Sequence, residues 1–408
     1  METAVPVLIL KLGHYPVHPG GLGAIRTLGR RGVRVHAVTE SRFTPAALSR
    51  YLESSFVWPT SGLEEPEVLV ARLLDIGRRI GEPAVLIPTD DEAAVLVAEN
   101  ADALRGQFLF PSCDDGTLPR RLASKDQLAT LCAETDALSP LSWAPGSLAE
   151  LRESLDRYRF PLVAKNREAF LRHSSPAVSS TTLIPDARTL LAIAEEWPEH
   201  PGVLLQEYLP PEVCEAWMFQ AYIDSGGAAA PVFTGAKVRT WPARGGVITS
   251  GFAVDNDDLA QRATQFCKEV GFRGIVDLDW YYDRRDGQYK LLDFNPRVGS
   301  QFRLFETVSG TDVVLAQYLD LTGQPVPREE QRSGRKYLVE HLDLPSRILS
   351  TGHPAAVPAR PRTSAGTELA WWARDDLKPS FAVVAHALRP AVRHLARVVK
   401  GPRAGRSH

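Results

Sequence analysis

Two short runs of residues joined by a turn constrain the fold of this chain more than any other feature. Residues 276–282 (Val-Asp-Leu-Asp-Trp-Tyr-Tyr) and 291–297 (Leu-Leu-Asp-Phe-Asn-Pro-Arg) alternate apolar and polar side chains and contain aromatics, which is typical of β-strands. Between them, residues 283–287 end in Asp-Gly, a pair that favours a tight turn. The pattern predicts a β-hairpin that brings Asp279 and Asp293 side by side.

One face of this hairpin forms a candidate metal site. Asp293 and Asn295 are two residues apart, so on a strand they project from the same face. Two carboxylates and an amide oxygen make an all-oxygen site suited to Mg²⁺. Arg297 continues that face and can hold a phosphate or a carboxylate bidentately. Phosphoryl transfer from ATP requires such an array. The alternative is a hairpin whose polar face simply meets solvent.

Composition limits the class of protein. The chain has 408 residues, 44% of them hydrophobic, and a net charge of −2, which fits a globular protein of two or three domains. No apolar run approaches the roughly 20 residues that span a bilayer, and the first residues do not resemble a signal peptide. The cysteines are scattered without metal-binding spacing, so we expect reduced thiols in a cytoplasmic protein. They are Cys113, Cys132, Cys214 and Cys267.

Residues 1–110 alternate between strand and helix patterns, which predicts a small α/β domain with a mostly parallel sheet. The predicted strands are 5–12, 33–39 and 84–88, and the predicted helices are 24–31, 66–80 and 91–100. A glycine-rich turn is expected at 18–23. It does not match a dinucleotide-binding fingerprint, because Arg26 stands where close packing of helix on strand requires Gly or Ala.

Basic residues recur at the ends and on the faces of predicted elements further along the chain. Lys125 begins a helix after Ser124, and Lys165 ends an apolar strand. Lys237 and Arg239 share one face of a strand, where two cations are costly unless they meet anions. We therefore expect both to contact a phosphate or a substrate carboxylate, with a solvent-facing sheet surface as the alternative.

The order of these residues resembles that of the ATP-grasp superfamily over about residues 1–330. The matching positions are Lys125, Lys165, Gln206-Glu207, Lys237, Asp279 and Asp293-x-Asn295-x-Arg297. The resemblance implies an α/β protein of the α+β ATP-grasp type, with a pre-ATP-grasp domain (1–111), an ATP-grasp domain of two subdomains (112–330) and an extension (331–408). The nucleotide would lie between two sheets. Two features depart from the family: Asp replaces the usual Glu at both metal positions, and residues 166–180 contain no glycine.

The resemblance also implies a role for each matched residue. Asp279, Asp293 and Asn295 would bind Mg²⁺, and Arg297, Lys237 and Arg239 would contact the transferred phosphoryl group or the substrate. For the nucleotide, Lys125 and Lys165 would reach the phosphates, Gln206, Glu207 and Leu209 would hold the adenine, and Glu215, with Glu212 as a rival, would bind the ribose. Loops 14–23 and 89–92 would line the acceptor side, although a charge cluster at a helix N-terminus also accounts for 90–92.

These residues together predict an ATP-dependent carboxylate–amine ligase with ATP and Mg²⁺ as cofactors. Its substrates would be a small-molecule carboxylate and an amine, with no nucleic acid, and a homodimer is left open. One alternative is a nucleotide-binding partner protein of the same fold that lacks turnover. A kinase or a carboxylase is another, because a fold does not fix the acceptor.

The C-terminal residues 331–408 lie outside this resemblance. After Asp376 the chain has no acidic residue and seven basic ones, and 381–400 has an apolar pattern of helical spacing. A basic amphipathic helix of this kind can lie on an anionic membrane surface or bind a partner protein. A helix that packs on its own protein with a solvated basic face is the alternative, and Pro390 would interrupt the apolar face.

Overall fold

The computed structural model describes residues 1–167, 177–178, 181–242, 246–349, 355–361 and 364–387. These residues build three β-sheets of five, four and seven strands, with helices packed on them. This mixed α/β architecture confirms the predicted fold class. The glycine-free segment and the loop around Arg244 fall mostly outside the described residues.

The first sheet is parallel throughout, with the strand order β3-β2-β1-β4-β5. Its strands are β1 (Val7–Leu10), β2 (Val35–Thr39), β3 (Ser54–Val57), β4 (Ala84–Pro88) and β5 (Phe108–Leu109). The helices are α1 (Pro19–Gly29), α2 (Pro66–Ile80), α3 (Asp91–Glu99) and α4 (Ala101–Leu104). The central strands β1, β2 and β4 are almost entirely buried, as expected for a parallel sheet covered by helices.

The glycine-rich stretch after β1 corrects one prediction. A turn was expected at 18–23, but α1 already begins at Pro19 and includes these glycines. Pro19 suits the first helical turn because its missing N–H needs no partner there. His18 caps the helix, since its Nδ1 accepts a hydrogen bond from the Gly21 N–H at 3.1 Å. The helix therefore starts five residues earlier than its apolar pattern indicated.

The second sheet is antiparallel, in the order β6-β9-β7-β8, and carries Lys165 and Gln206. Its strands are β6 (Ser142–Trp143), β7 (Leu162–Asn166), β8 (Thr182–Ile184) and β9 (Val203–Glu207). The helices of this region are α5 (Leu118–Ala123), α6 (Lys125–Ala133), α7 (Leu148–Glu153) and α8 (Ala187–Ala194).

The third sheet has seven strands in the order β14-β13-β10-β11-β12-β15-β16, antiparallel except for the last pair. Its strands are β10 (Cys214–Ile223), β11 (Ala229–Trp241), β12 (Val247–Ala253), β13 (Gly274–Asp283), β14 (Gln288–Asn295), β15 (Lys336–Leu338) and β16 (Thr367–Leu369). Helices α9 (Asp257–Glu269), α10 (Val313–Leu321) and α11 (Glu340–Leu349) accompany it. The predicted hairpin is confirmed as β13–β14, with Gly287 at φ 70° in the turn between them.

A shared hydrophobic core joins the first sheet to the third. It contains Val7 and Val85 of the first sheet, Met218 and Phe233 of the third, and Tyr318 of α10. The domain boundaries at 111 and 330 stay predictions. Among the described residues, no helix is long and apolar enough to cross a membrane.

The C-terminal segment docks on the first sheet's helix α1. Buried Arg26 donates to Asp376 Oδ2 at 3.0 Å and to the Trp371 carbonyl at 2.8 Å. This contact explains why arginine occupies the position that a dinucleotide fingerprint gives to a small residue. A helical stretch follows at 378–387, and its Val383 is buried. The basic residues beyond 387 lie outside the described chain, so the membrane-surface hypothesis stays a prediction.

Candidate active site

The hairpin β13–β14 places the two predicted metal carboxylates opposite each other. Asp279 pairs in register with Asp293, and a register shift follows between Asp279 and Trp280. On the opposite face, Trp280 and Leu291 are buried in a hydrophobic cluster with Phe294. Apolar packing on one face therefore fixes which side of the hairpin presents the carboxylates.

Two lysines from other parts of the chain meet these aspartates. Lys125, the first residue of α6, forms an ion pair with Asp293, and Lys237 of β11 lies 2.6 Å from Asp279 Oδ2. Burial alone would raise the pKa of Asp293, but Lys125 and Lys165 outweigh it and lower the pKa to about 2. Burial likewise opposes the charge of Lys237, yet Asp279 raises the pKa of this lysine above its usual value.

Lys165 of β7 is the third lysine of the group. Its Nζ donates to the Gln206 side-chain oxygen at 3.0 Å, and Gln206 donates in turn to Ser142 at 3.0 Å. Burial lowers the pKa of Lys165; the charge of Asp293 opposes this effect and that of Lys125 adds to it. The hydrogen-bond partner of this ammonium is a neutral amide, which does not compensate its charge. An incoming anion such as a phosphate would therefore stabilise it.

Arg297 links the hairpin to the first sheet. Its Nε donates to Asp91 Oδ1 at 3.1 Å, and one terminal nitrogen donates to Asn295 Oδ1 at 2.9 Å. The other terminal nitrogen lies 3.4 Å from Asp277 Oδ2. Burial opposes the charge of Arg297, but Asp91 and Asp277 raise its pKa. The guanidinium that is predicted to bind a phosphate or the substrate is thus held in place from both sides.

Asp277 is a residue of this site that the sequence reasoning missed. Its Oδ1 accepts hydrogen bonds from Gln220 at 3.0 Å and from Gln301 at 2.8 Å. Burial and the neighbouring Asp279 raise its pKa. A Cβ on Gly299 would lie 2.5 Å from Asp277 Oδ2, so only glycine fits beside this carboxylate. The signal was present in the sequence, because Asp277 lies two residues before Asp279 and so on the same strand face.

The predicted adenine-binding residues lie at the end of β9 and just beyond it. Gln206 contacts Lys165, and Leu209 is buried. Glu207 lies 3.5 Å from Lys290, and its N–H donates to the Leu141 carbonyl at 2.7 Å. The structure thus brings Gln206 beside Lys165, one of the lysines predicted to bind phosphate.

Glu215 and Arg239 are both held by partners within the protein. Glu215 accepts from the Trp217 indole at 2.9 Å and from Arg284 at 2.6 Å. Arg239 donates to Asp343 of α11 at 2.6 Å, although Lys237 two residues earlier meets Asp279. A β-bulge between Lys237 and Arg239 interrupts the alternation on which their shared face was predicted. The structure therefore does not bring Arg239 to the aspartates.

The chemistry of the donor set fits a magnesium ion. Asp279 Oδ1 is buried and has no hydrogen-bond partner within the described part of the chain. Phosphate oxygens can replace Asp293 as the partner of its lysines, which frees the carboxylate for a metal ion. Asn295 supplies an amide oxygen. Within the same residues, no three His, Cys, Asp or Glu side chains group as metal ligands. A site with only two carboxylates suits Mg²⁺, which keeps water and phosphate oxygens as its other ligands.

Comparisons with known proteins agree with this geometry. Residues 253–326 match the family described as carbamoyl-phosphate synthase L chain, ATP binding domain. The structure resembles N5-carboxyaminoimidazole synthetase from Staphylococcus aureus bound to ADP, with a TM-score of 0.60 at 10% identity over 82% of this chain and 81% of that one. Residues 253–326 are thus similar to an ATP-grasp domain, and the fold resembles that of ATP-grasp proteins. The fold of this chain places the two aspartates on one sheet and Lys165 on another.

Further ATP-grasp relatives point to ligases and to carboxylases. D-aspartate ligase of Enterococcus faecium is 21% identical over 65% of this chain and 66% of its own length, just under two thirds. The L-amino acid ligase structure from Bacillus licheniformis has a TM-score of 0.59 at 14% identity, covering 82% of this chain and 79% of that one. A biotin carboxylase domain dimer from Hydrogenobacter thermophilus, bound to MgADP and bicarbonate, also scores 0.59, at 13% identity over 82% and 74% of the two chains.

Proposed function

We propose that this ATP-grasp protein is an ATP-dependent ligase that activates a small-molecule carboxylate as an acyl phosphate and joins it to an amine. The observation that carries the proposal is the array of Asp279 and Asp293 with the three lysines 125, 165 and 237. The likeness to D-aspartate ligase and L-amino acid ligase supports it.

The proposed reaction has two steps. A carboxylate oxygen attacks the γ-phosphorus of ATP, and the bond from phosphorus to the β–γ bridging oxygen breaks, which releases ADP. The amine nitrogen then attacks the carbonyl carbon, the carbon–oxygen bond to phosphate breaks, and the nitrogen loses a proton. The products are an amide, ADP and phosphate.

The lysines position and neutralise the phosphates in this scheme. Asp279, Asp293 and Asn295 would hold Mg²⁺, whose charge would help to neutralise the transferred group. Lys125 and Lys237 balance the aspartates before nucleotide binds, and their ammonium groups then donate to phosphate oxygens. Lys165 is already oriented by its hydrogen bond to Gln206, and its ammonium would donate to the phosphates as well.

Arg297 and Asp277 act on the substrate side. Asp91, Asn295 and Asp277 fix the guanidinium of Arg297. A guanidinium that is already oriented can stabilise a negative charge that develops on the substrate. Asp277 is a positioning residue here, because its own oxygens are held by Gln220, Gln301 and Arg297.

A carboxylase is the second candidate, favoured by the likeness to biotin carboxylase and N5-carboxyaminoimidazole synthetase structures. Both reactions would begin with phosphorylation of an oxygen anion, which is a carboxylate in the ligase and bicarbonate in the carboxylase. ADP release from Mg-ATP, measured across a panel of amino acids and with bicarbonate, separates them. The ligase predicts release that depends on an acid and an amine together, and bicarbonate-dependent release without such a pair would favour the carboxylase. No ADP release with any acceptor would favour a non-catalytic nucleotide-binding protein.

A further inference from the structure

A small crevice lies at the carboxyl edge of the first sheet, where three neighbouring strands end. Its volume is about 20 Å³, and it is lined by residues that include Lys11 after β1, Glu40 after β2 and Thr89 after β4. The chain connects β1 to β2 on one side and returns to β4 on the other. Ligands of open α/β sheets bind at such a reversal of strand order. The crevice has room for one small polar group.

Glu40 is the group in this crevice that lacks a full set of partners. Its side chain is 7% exposed, and one carboxylate oxygen forms an ion pair with Lys11. The other oxygen, Oε2, is buried and accepts no hydrogen bond from the described residues. A buried carboxylate oxygen without a donor costs free energy, so the site gains from a ligand that donates to it.

The charges around the crevice select a cationic donor. Lys11 also donates to the Tyr15 carbonyl at 2.6 Å, so its ammonium is largely committed. Burial lowers the pKa of Lys11, and the charges of Glu40 and Asp90 oppose that effect. The N-terminus of α1 would attract an anion, but the Gly21 N–H already donates to His18. An anionic ligand would therefore meet the Glu40 carboxylate, and the Gly21 N–H is already engaged.

We propose that this crevice binds a primary ammonium group, with Glu40 Oε2 as its hydrogen-bond acceptor. The crevice adjoins the loop after Asn295, because a Cβ on Gly20 would lie 3.0 Å from the Gly299 carbonyl oxygen. The ammonium is then one carried by a substrate of the neighbouring site, an assignment that rests on the proposed function. The substrate would then be a small molecule whose amino group binds in the crevice and does not take part in the ligase reaction.

Glycinamide and acetamide are suitable probes, because they differ only in the amino group. Titration calorimetry without nucleotide should show saturable binding of glycinamide and much weaker binding of acetamide. Glu40→Gln should raise the glycinamide dissociation constant about tenfold or more, since a hydrogen bond to a charged group is lost. Glu82→Gln, which removes an exposed ion pair with Arg34 at the edge of the same sheet, should leave it unchanged.

A second variant guards against misfolding of Glu40→Gln. A Cβ on Gly21 meets only ordinary contacts, 3.7 Å to His18 Nδ1 and 3.9 Å to Thr89 Oγ1, so Gly21→Ala should fold and fill the crevice. It should also abolish glycinamide binding. Equal binding of the two probes, or binding unaffected by Glu40→Gln and Gly21→Ala, would overturn the proposal. ADP release measured on the same proteins tests the ligase separately, since crevice binding can persist in a protein without turnover.

Discussion

Asp279 lies directly opposite Asp293 across the β13–β14 pair, and each carboxylate meets a lysine from a distant part of the chain. Lys125 comes from α6 and Lys237 from β11, so the site forms only when α6 packs beside the third sheet. Each partly buried carboxylate is paired with a cation, which offsets part of the cost of removing these charges from water. A bound nucleotide can exchange these ion pairs for contacts to phosphate without unfolding the site.

Asp293→Asn tests the metal assignment. The change removes one negative charge facing the ion while keeping the shape of the side chain, so kcat for ADP release should fall about 100-fold or more. Far-UV circular dichroism should show an unchanged fold. The matched control is Asp258→Asn, which breaks an exposed pair with Arg262 on α9 and should keep full activity. Wild-type turnover in Asp293→Asn would show that this residue holds no metal.

Lys165→Ala tests nucleotide binding. A ligand that binds only the folded state stabilises it, by about 2.7 kcal/mol at a hundred times its dissociation constant. Mg-ATP should therefore raise the melting temperature of the wild-type protein, and Lys165→Ala should lose most of that shift. Lys268→Ala, an exposed lysine on α9, is the control and should keep it. A full shift in Lys165→Ala would place the phosphates elsewhere.

Asp90 predicts a pH dependence of stability. Burial raises the pKa of Asp90 to about 6, although its carboxylate accepts hydrogen bonds from the N–H groups of Leu12, Gly13 and Ala93. The folded state therefore binds this proton more tightly than the unfolded state, whose value is 3.8. The contribution of Asp90 to stability thus decreases as the pH rises from about 4 to about 6.

Urea unfolding of Asp90→Asn and wild type at these two pH values checks this sign. The free-energy cost of Asp90→Asn should be larger at about pH 4 than at about pH 6. Only the wild type contains the Asp90 carboxyl, whose titration removes stability over that window. Asp115→Asn is the control: hydrogen bonds from Thr117 lower the pKa of Asp115, so the cost of this change should vary little and should not fall as the pH rises. A cost of Asp90→Asn that grows with pH would contradict the assignment.

The C-terminal helical stretch should contribute to stability. Ala382 and Val383 are buried, and Ser380 donates to the Trp371 carbonyl at 2.9 Å. A chain that ends at Asp376 should therefore lose about 2 kcal/mol of unfolding free energy, the scale of one buried valine. A chain that ends at Ala387 should keep this amount of unfolding free energy relative to the chain that ends at Asp376, as measured by urea unfolding. Equal stability of both shortened chains would mean that this helical stretch packs too loosely to matter.

The parts of the site that sequence could predict are those set by local periodicity. Alternation and the Asp-Gly turn fixed the hairpin and hence the pairing of Asp279 with Asp293. The same alternation contained Asp277, which was overlooked because the family pattern does not mark it. Arg239 was misplaced on the face of Lys237 because a β-bulge leaves no clear trace in sequence.

The remaining features depend on contacts between residues far apart in the chain. Nothing near Lys125 indicates that it meets Asp293, 168 residues away, and nothing near Arg26 indicates its bond to Asp376. The early start of α1 was missed for a different reason. Glycines usually disfavour helix interiors, but here a proline and the His18 cap begin the helix within them.

Transfer of oxygen from the acid to phosphate tests the central claim most directly. The acid that supports ADP release is labelled with ¹⁸O in its carboxylate, and the released phosphate is analysed by mass spectrometry after a turnover with the amine. An acyl phosphate intermediate places one carboxylate oxygen in that phosphate, so the account predicts one ¹⁸O atom per phosphate formed. Phosphate that carries no label, while the amide forms and ADP is released, would contradict the proposed ligase mechanism.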